Sequence, residues 1–161
     1  MIVAVFVCVK GLVRYVVVYT SMIAASVPPT LMPPTKRHVA YVVGPPRPRP
    51  DIKDIAWIRE RRDLESRAAN AAGRFPDAIC CDALLSTENG LLLEGMLTNI
   101  FVVVATPAST TGLSTCYKLQ TAPESMVLAG VARRQVIEAC GSLGIPVDLT
   151  CPDPSERGSW C

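Results

Sequence analysis

Apolar runs dominate the N-terminal part of the chain. Residues 1–9 are apolar, and residues 12–25 are apolar except for Arg14 and a few uncharged polar positions. The Val and Tyr content of residues 15–19 favours one or two β-strands. A targeting segment is the second alternative, although Lys10 and Arg14 interrupt the apolar stretch, which in a signal peptide is continuous. A membrane anchor is the third, since a spanning helix needs about 20 apolar residues without charges.

The next segment changes from extended chain to helix. Residues 27–34 are rich in proline and predict an extended linker. A short strand is predicted at residues 39–43, before Gly44 and two prolines. Five positions then recur at helical spacing, and Gly73 is a plausible end for this helix. The positions with this spacing are Trp57, Arg61, Leu64, Ala68 and Ala71.

The middle of the chain predicts paired strands. Residues 78–86 form an apolar run with β character, and residues 98–105 form a second run with three consecutive valines. Between them, Asn89 and Gly90 match the dipeptide preferred in two-residue hairpin turns, and residues 91–93 return towards the second run. Because these runs are continuous rather than alternating, they predict a sheet covered on both faces.

The last third predicts a strand, a helix and a shorter strand. Residues 115–119 are expected to be a strand, and a helix with one apolar face begins near Val131 and ends at Gly144. A further strand is expected at residues 145–149, followed by a polar loop. Gly130 at the helix start leaves backbone N–H groups free, a common feature of phosphate sites, although most such helix starts bind nothing.

Composition narrows the classes of function. The 161 residues suffice for one domain, and the net charge of +2 does not favour a polyanionic partner. Basic residues near the predicted helix alternate with acids, which argues against nucleic-acid binding. The seven cysteines lack paired metal-ligand spacing and indicate reduced thiols in an intracellular protein, and His38 is the only histidine. No metal site is therefore expected.

Glu94 and Lys53 are the two charged residues in unusual positions. Glu94 stands before a glycine between two apolar runs, where burying a carboxylate is costly unless a cation is near. Lys53 precedes the predicted helix, and from composition alone a surface lysine is the better interpretation. A reactive amine there would need burial or a neighbouring cation to lower its pKa.

The ordered set of motifs resembles the class IV aminotransferases, the fold-type IV pyridoxal-phosphate enzymes. This group includes branched-chain and D-amino-acid aminotransferases and aminodeoxychorismate lyase. The resemblance covers about residues 39–160 and is carried by short segments that occur in the same order. They are Lys53 with Trp57 and Arg61, residues 82–85, Asn89-Gly90 with Glu94-Gly95, residues 98–101, residues 121–123, residues 128–133 and residues 144–147.

The resemblance implies pyridoxal 5'-phosphate as cofactor and assigns a role to each matching residue. Lys53 matches the lysine that binds the cofactor covalently and moves the α-proton of the substrate. Glu94 matches the carboxylate facing the pyridine nitrogen, whose positive charge would then be the cation that Glu94 needs. The remaining matches surround the ring and the phosphate. They are Thr98 and Asn99 beside the ring, Leu128 against its face, and Gly130, Val131 and Ala132 at the phosphate, where the family usually has threonine in place of Ala132.

The implied fold is α+β, the larger C-terminal domain of the D-amino-acid aminotransferase-like fold. It consists of a mixed sheet or pseudo-barrel with flanking helices. Residues 39–161 would form a partial cofactor-binding domain, and residues 1–38 stay unassigned. The family's small N-terminal domain and late strand-and-turn segment have no counterpart, so a chain truncated at both ends is expected. Lys53, Glu94 and residues 130–132 should line one cavity.

The expected activity is transamination between an amino acid and a 2-oxo acid. Pyruvate elimination from an aminodeoxychorismate-like substrate is the enzymatic alternative, and a non-catalytic remnant that binds a partner is the other. Small-molecule substrates are expected, with no nucleic acid, and a homodimer if the chain is complete. The expected location is intracellular, cytoplasmic or organellar, and an N-terminal targeting segment is the less favoured alternative.

Overall fold

The computed structural model describes residues 2–9, 12–19, 37–72, 78–106 and 116–159. Within these residues the chain forms strands, two α-helices and two short 3₁₀ helices. In chain order the strands and α-helices are β1 (Ile2–Val9), β2 (Leu12–Tyr19), β3 (Arg37–Gly44), α1 (Trp57–Ala72), β4 (Ala78–Ser86), β5 (Leu92–Gly95), β6 (Thr98–Thr106), β7 (Cys116–Gln120), α2 (Val131–Ser142) and β8 (Val147–Asp148).

The strands form one mixed sheet in the order β2-β1-β6-β5-β4-β3. Strand β1 pairs in parallel with β6, and β3 pairs in parallel with β4. The remaining neighbours along this path are antiparallel. Strand β7 pairs antiparallel with the C-terminal half of β6, and β8 pairs in parallel with β7. The strand prediction for the N-terminal apolar runs is therefore confirmed, and these strands belong to the same sheet as the rest.

Strand β6 is covered on both faces, as its continuous apolar run predicted. Ile100 and Val102 pack with residues of β4 and β5, whereas Phe101 packs with β7 and α2. All three side chains are fully buried. Since successive side chains of a strand point to opposite faces, the run of β6 supplies two separate parts of the core.

Helix α1 packs on the β4–β5 side of the sheet through Trp57, Leu64 and Ala68, which are buried. Its other face is polar and includes an ion pair one turn apart between Arg61 and Glu65, 2.8 Å long. This confirms that most basic residues of the segment lie on a solvated helix face. Of the helices that the structure describes, neither is long and apolar enough to cross a membrane.

The turn between β4 and β5 differs from its prediction. The connection spans residues 87–91 rather than two residues. The Gly90 amide donates to the Thr87 carbonyl over 2.9 Å, and Gly90 itself has a φ of 82°. This geometry is a four-residue β-turn over residues 87–90, and its last residue lies in the left-handed region, which glycine adopts at least cost. The chain therefore reverses where predicted, but with a longer loop.

The C-terminal region contains more regular structure than the predicted polar loop. Strand β8 is shorter than predicted, and residues Pro154–Ser159 form a 3₁₀ helix. Pro152 is fully buried, and its carbonyl accepts a 2.8 Å hydrogen bond from the Leu92 amide at the start of β5. Tertiary contact with β5 therefore orders a segment whose local sequence has no helical or strand periodicity.

Two of the cysteines have described side chains, and both are free thiols. Cys140 is buried on α2, and Cys151 lies half-buried beside Met126. Burial raises the pKa of both thiols, so neither is an activated nucleophile. The other cysteine side chains lie outside the described residues.

Candidate functional site

Glu94 is a buried carboxylate in the middle of the sheet. It lies on β5 and pairs across the antiparallel β5–β6 ladder with Asn99. Only 2% of its surface is exposed. A carboxylate at this depth loses its hydration and must be compensated by donors or cations. The apolar neighbours of Glu94 in sequence thus bury it, as the sequence pattern indicated.

Two groups from different parts of the chain face the two oxygens of Glu94. The Leu128 amide donates to Oε2 over 3.1 Å. Nε of Arg47 lies 3.2 Å from Oε1 and forms an ion pair, with both side chains almost fully buried. Oε1 is ion-paired with Arg47, but it accepts no well-oriented hydrogen bond from any residue in the described ranges. It therefore has acceptor capacity that the described residues leave unused.

Burial raises the pKa of the Glu94 carboxyl above its ordinary value. The charge of Arg47, the hydrogen bond from Leu128 and the more distant charge of Arg133 oppose this effect. Arg47 is the largest of the opposing causes, so it is the main group that favours the ionised form.

Asn99 fixes the chain that leads into α2. Its amide nitrogen donates to the Leu128 carbonyl over 3.1 Å. A Cβ atom on Gly130 would lie 2.6 Å from Oδ1 of Asn99, so any side chain at that position would collide with the amide. Gly130 is therefore required for close approach between β6 and the helix start. Thr98, immediately before Asn99, is also buried.

The start of α2 has one exposed and one buried side chain. Gly130 is the residue before the first helical turn, and no side chain caps that end. Val131 is exposed, whereas Ala132 packs in the core with Phe101. The buried Arg133 donates through Nη2 to the Ala122 carbonyl over 2.6 Å. The N-cap residue leaves the N–H groups of this first turn without a side-chain acceptor, and such groups are the ones that bind anions at helix starts.

Lys53 lies at the tip of a structured loop before α1, and its side chain is exposed. The Asp54 amide donates to the Ile52 carbonyl over 3.0 Å, a three-residue turn centred on Lys53. The Asp54 side chain accepts from the Ala56 amide over 2.8 Å and so orders the approach to α1. The loop conformation around Lys53 is therefore defined by local hydrogen bonds.

The structure brings together part of the set expected from the sequence. Glu94, Asn99 and Leu128 are connected by the hydrogen bonds described above, and the Gly130 amide joins them by donating to the Leu128 carbonyl over 2.7 Å. Thr98 is next to it on β6, and Val131 and Ala132 follow it at the start of α2. Lys53 itself lies in the exposed loop that follows Arg47, the partner of Glu94. A cavity shared by Lys53, Glu94 and the start of α2 stays a prediction.

Arg47 is the residue that sequence reasoning missed. The structure contradicts the expectation that a buried Glu94 needs the pyridine nitrogen as its cation, because Arg47 already supplies that charge. Arg47 stands in a run of alternating arginines and prolines, which resembles a solvated linker.

Solved structures similar to this chain are branched-chain aminotransferases. An M4 mutant of the enzyme from Thermobaculum terrenum is 24% identical with a TM-score of 0.53, over 78% of this chain and 37% of that chain. The same enzyme in its pyridoxal-phosphate form is also 24% identical, with a TM-score of 0.50 over 75% of this chain and 36% of that chain. The enzyme from Thermoproteus uzoniensis with norvaline is 20% identical, with a TM-score of 0.51 over 79% of this chain and 39% of that chain.

The chain has part of the fold of these aminotransferases. It spans less than two-fifths of the length of each of the three. The fold class predicted from the sequence is confirmed, as a mixed sheet with flanking helices that corresponds to part of that fold. No family model matches the chain, and no curated protein is significantly similar to it in sequence.

Proposed function

We propose that the chain forms a pyridoxal-phosphate site that serves transamination between an amino acid and a 2-oxo acid. The observation that carries this proposal is Glu94, a buried carboxylate whose Oε1 still lacks a well-oriented donor among the described residues. A ring N–H is a donor of the kind that this oxygen accepts. The fold shared with aminotransferases, one of them in its pyridoxal-phosphate form, supports the same assignment.

The described residues would hold the cofactor at both of its ends. Glu94 would face the ring nitrogen, and Leu128, whose amide binds Glu94, would pack against the ring. The uncapped first turn of α2, from Gly130 to Ala132, would bind the phosphate through its N–H groups. Ala132 offers no hydroxyl, so this chain relies on backbone donors there. Asn99 would act by holding residues 128–130 in place rather than by touching the ring.

Each charged residue would have a separate task in the reaction. When bound, pyridoxal phosphate supplies an electron sink for the carbanion formed at the substrate α-carbon. Nζ of Lys53 would hold the cofactor covalently and, once released by the incoming amino group, move the α-proton. The Glu94 carboxylate would hold a proton on the ring nitrogen. Arg47 would favour the ionised form of Glu94 at this depth, because its guanidinium opposes part of the rise in pKa that burial causes.

The test is spectroscopic and does not require substrate. The purified chain mixed with pyridoxal phosphate should develop the near-visible band of lysine-bound cofactor, and Lys53→Ala should abolish it. Lys118→Arg is the matched control, because it keeps the charge that pairs with Asp148 over 2.6 Å and should leave the band unchanged. Borohydride reduction followed by peptide mass spectrometry should locate the cofactor on Lys53. No band, or a label on another lysine, would refute the proposal.

Substrate tests then separate the enzymatic alternatives. Transamination predicts that D- or L-amino acids convert the bound cofactor to its amine form. Pyruvate release from aminodeoxychorismate would instead identify the lyase. A chain that forms the band but reacts with neither class would support the non-catalytic alternative. An intracellular location stays a prediction from the cysteine pattern, and a homodimer stays a prediction from the family resemblance.

A further inference from the structure

The loop that carries Lys53 is closed at its base by a direct contact. The base consists of Arg47 and Trp57, which lie before and after the loop formed by residues 48–56. The Arg47 guanidinium carbon lies 4.7 Å from the centre of the Trp57 ring, a cation–π contact. Both side chains are buried, whereas Lys53 between them is exposed. The base of the loop is thus buried and held by this contact, whereas Lys53 is accessible to solvent.

The same two side chains converge on one carbonyl oxygen of the sheet. Nε1 of Trp57 donates to the Met96 carbonyl over 3.2 Å, and Nη2 of Arg47 donates to it over 3.5 Å. Met96 immediately follows β5, the strand that carries Glu94. The base of the Lys53 loop is therefore attached to the end of the Glu94 strand.

Arg47 makes three contacts that need the shape of a guanidinium. It pairs with Glu94, stacks on Trp57 and donates to Met96. A planar guanidinium can present its face to an aromatic ring while its edge N–H groups bind acceptors. A lysine ammonium is a compact charge and could keep the ion pair without the stacked geometry.

We propose that Arg47 and Trp57 are positioning residues, which form a clasp that holds the Lys53 loop against the Glu94 strand. The catalytic role of this clasp rests on the proposed function. In that function the clasp sets the position of the Lys53 amine relative to Glu94, the carboxylate that would face the ring nitrogen. The clasp itself consists of protein groups alone and is present without cofactor. Its loss should loosen residues 48–56 while the sheet keeps its core packing.

Hydrogen exchange of the cofactor-free chain measures the clasp directly. Arg47→Lys keeps the charge facing Glu94 but removes the stacking, and Trp57→Phe keeps the packing but removes the N–H donor. We expect amide exchange in residues 48–56 to accelerate about tenfold in either variant. The informative amides are those of Ile52, Asp54 and Ala56, which have acceptors within the loop. Exchange in β6 should change by less than about twofold.

Arg59→Lys is the matched control, because Arg59 is exposed on α1 and lies outside the clasp. It should leave exchange in residues 48–56 at the wild-type rate. Equal acceleration in the loop and in β6 would show that Arg47 and Trp57 only stabilise the core, and wild-type exchange in both variants would show that the loop needs no clasp. Either result overturns the proposal.

A second measurement connects the clasp to Lys53 chemistry. Borohydride trapping of pyridoxal phosphate on Lys53, followed by peptide mass over time, should be slower in Arg47→Lys than in wild type and Arg59→Lys. An unchanged trapping rate would refute a positioning role. If the wild-type chain itself traps no cofactor, the proposed function fails. The clasp is then tested by the hydrogen-exchange rates alone, which are measured without cofactor.

Discussion

At the scale of single residues, the central feature of this molecule is the ion pair between Arg47 and Glu94. Burial raises the pKa of the carboxyl by more than the arginine lowers it. Arg47 and Glu94 are both buried, and Leu128 supplies one further hydrogen bond to the carboxylate. Removing one member of a buried pair typically costs about 3–5 kcal/mol, because the other charge is left without compensation. Arg47 thus matters most when Glu94 is ionised.

The stability cost of Arg47→Met should depend on pH. Because burial raises the Glu94 pKa, the protonated carboxyl stabilises the folded state at low pH, and this contribution is lost as pH rises through the raised pKa. Without Arg47 the pKa of Glu94 would be higher still. The stability lost between low pH and pH 7 would then be larger. We expect urea unfolding to show a cost of about 3 kcal/mol at pH 7 and a smaller cost near pH 4.

Glu94→Gln is the background that isolates this effect. The amide does not ionise in this range, so Arg47→Met in that background should have a cost that does not vary with pH. If Arg47→Met had the same pH-independent cost with Glu94 present, the ion pair would not govern the ionisation of this carboxyl.

At the scale of secondary-structure elements, the sequence predicted strands and helices well because their patterns are local. Helix α1 spans Trp57–Ala72, and β4 and β6 match the predicted runs to within a residue or so. Apart from β8, which is shorter than predicted, the main errors lie in connections. The turn before β5 is longer than predicted, and the segment after Pro152 is ordered by its contact with Leu92. Such contacts depend on residues distant in sequence, which periodicity does not report.

Substitution by alanine should change the free energy of unfolding in opposite directions at Gly90 and Gly141. Gly90 has a φ of 82°, where a Cβ atom is strained, so Gly90→Ala should lower the free energy of unfolding by about 1 kcal/mol. Gly141 lies within α2, and a Cβ atom there would meet no other atom within 4 Å, so Gly141→Ala should raise it by about 0.5–1 kcal/mol. Urea titrations of both variants provide the check, and a neutral Gly90→Ala would contradict the left-handed turn.

At the scale of the whole molecule, one close contact joins the sheet to the helix start. Asn99 on β6 binds the Leu128 carbonyl and lies against Gly130, far along the chain. This contact sets the distance between the Glu94 carboxylate and the first turn of α2. It therefore links the two ends of the proposed cofactor site through the protein alone.

Gly130→Ala should be destabilising because of Asn99 and not because of its own backbone. The φ of −71° and ψ of 144° at this position suit alanine, but its Cβ would lie 2.6 Å from Oδ1 of Asn99. We expect a cost of about 1–3 kcal/mol in urea unfolding. In an Asn99→Ala background the same substitution should cost at least about 1 kcal/mol less, and strictly additive costs would rule out the contact.

The sequence alone determined the elements, the fold class and the burial of Glu94. Hydrophobic periodicity specifies which residues face the core, and an acid between two apolar runs has to enter that core with them. The tertiary structure alone decided which cation meets that acid. Arg47 and Glu94 are distant in sequence, and their pairing depends on how the Lys53 loop folds back onto the end of β5. No local pattern encodes that approach, because it results from the packing of α1 through Trp57 against the sheet.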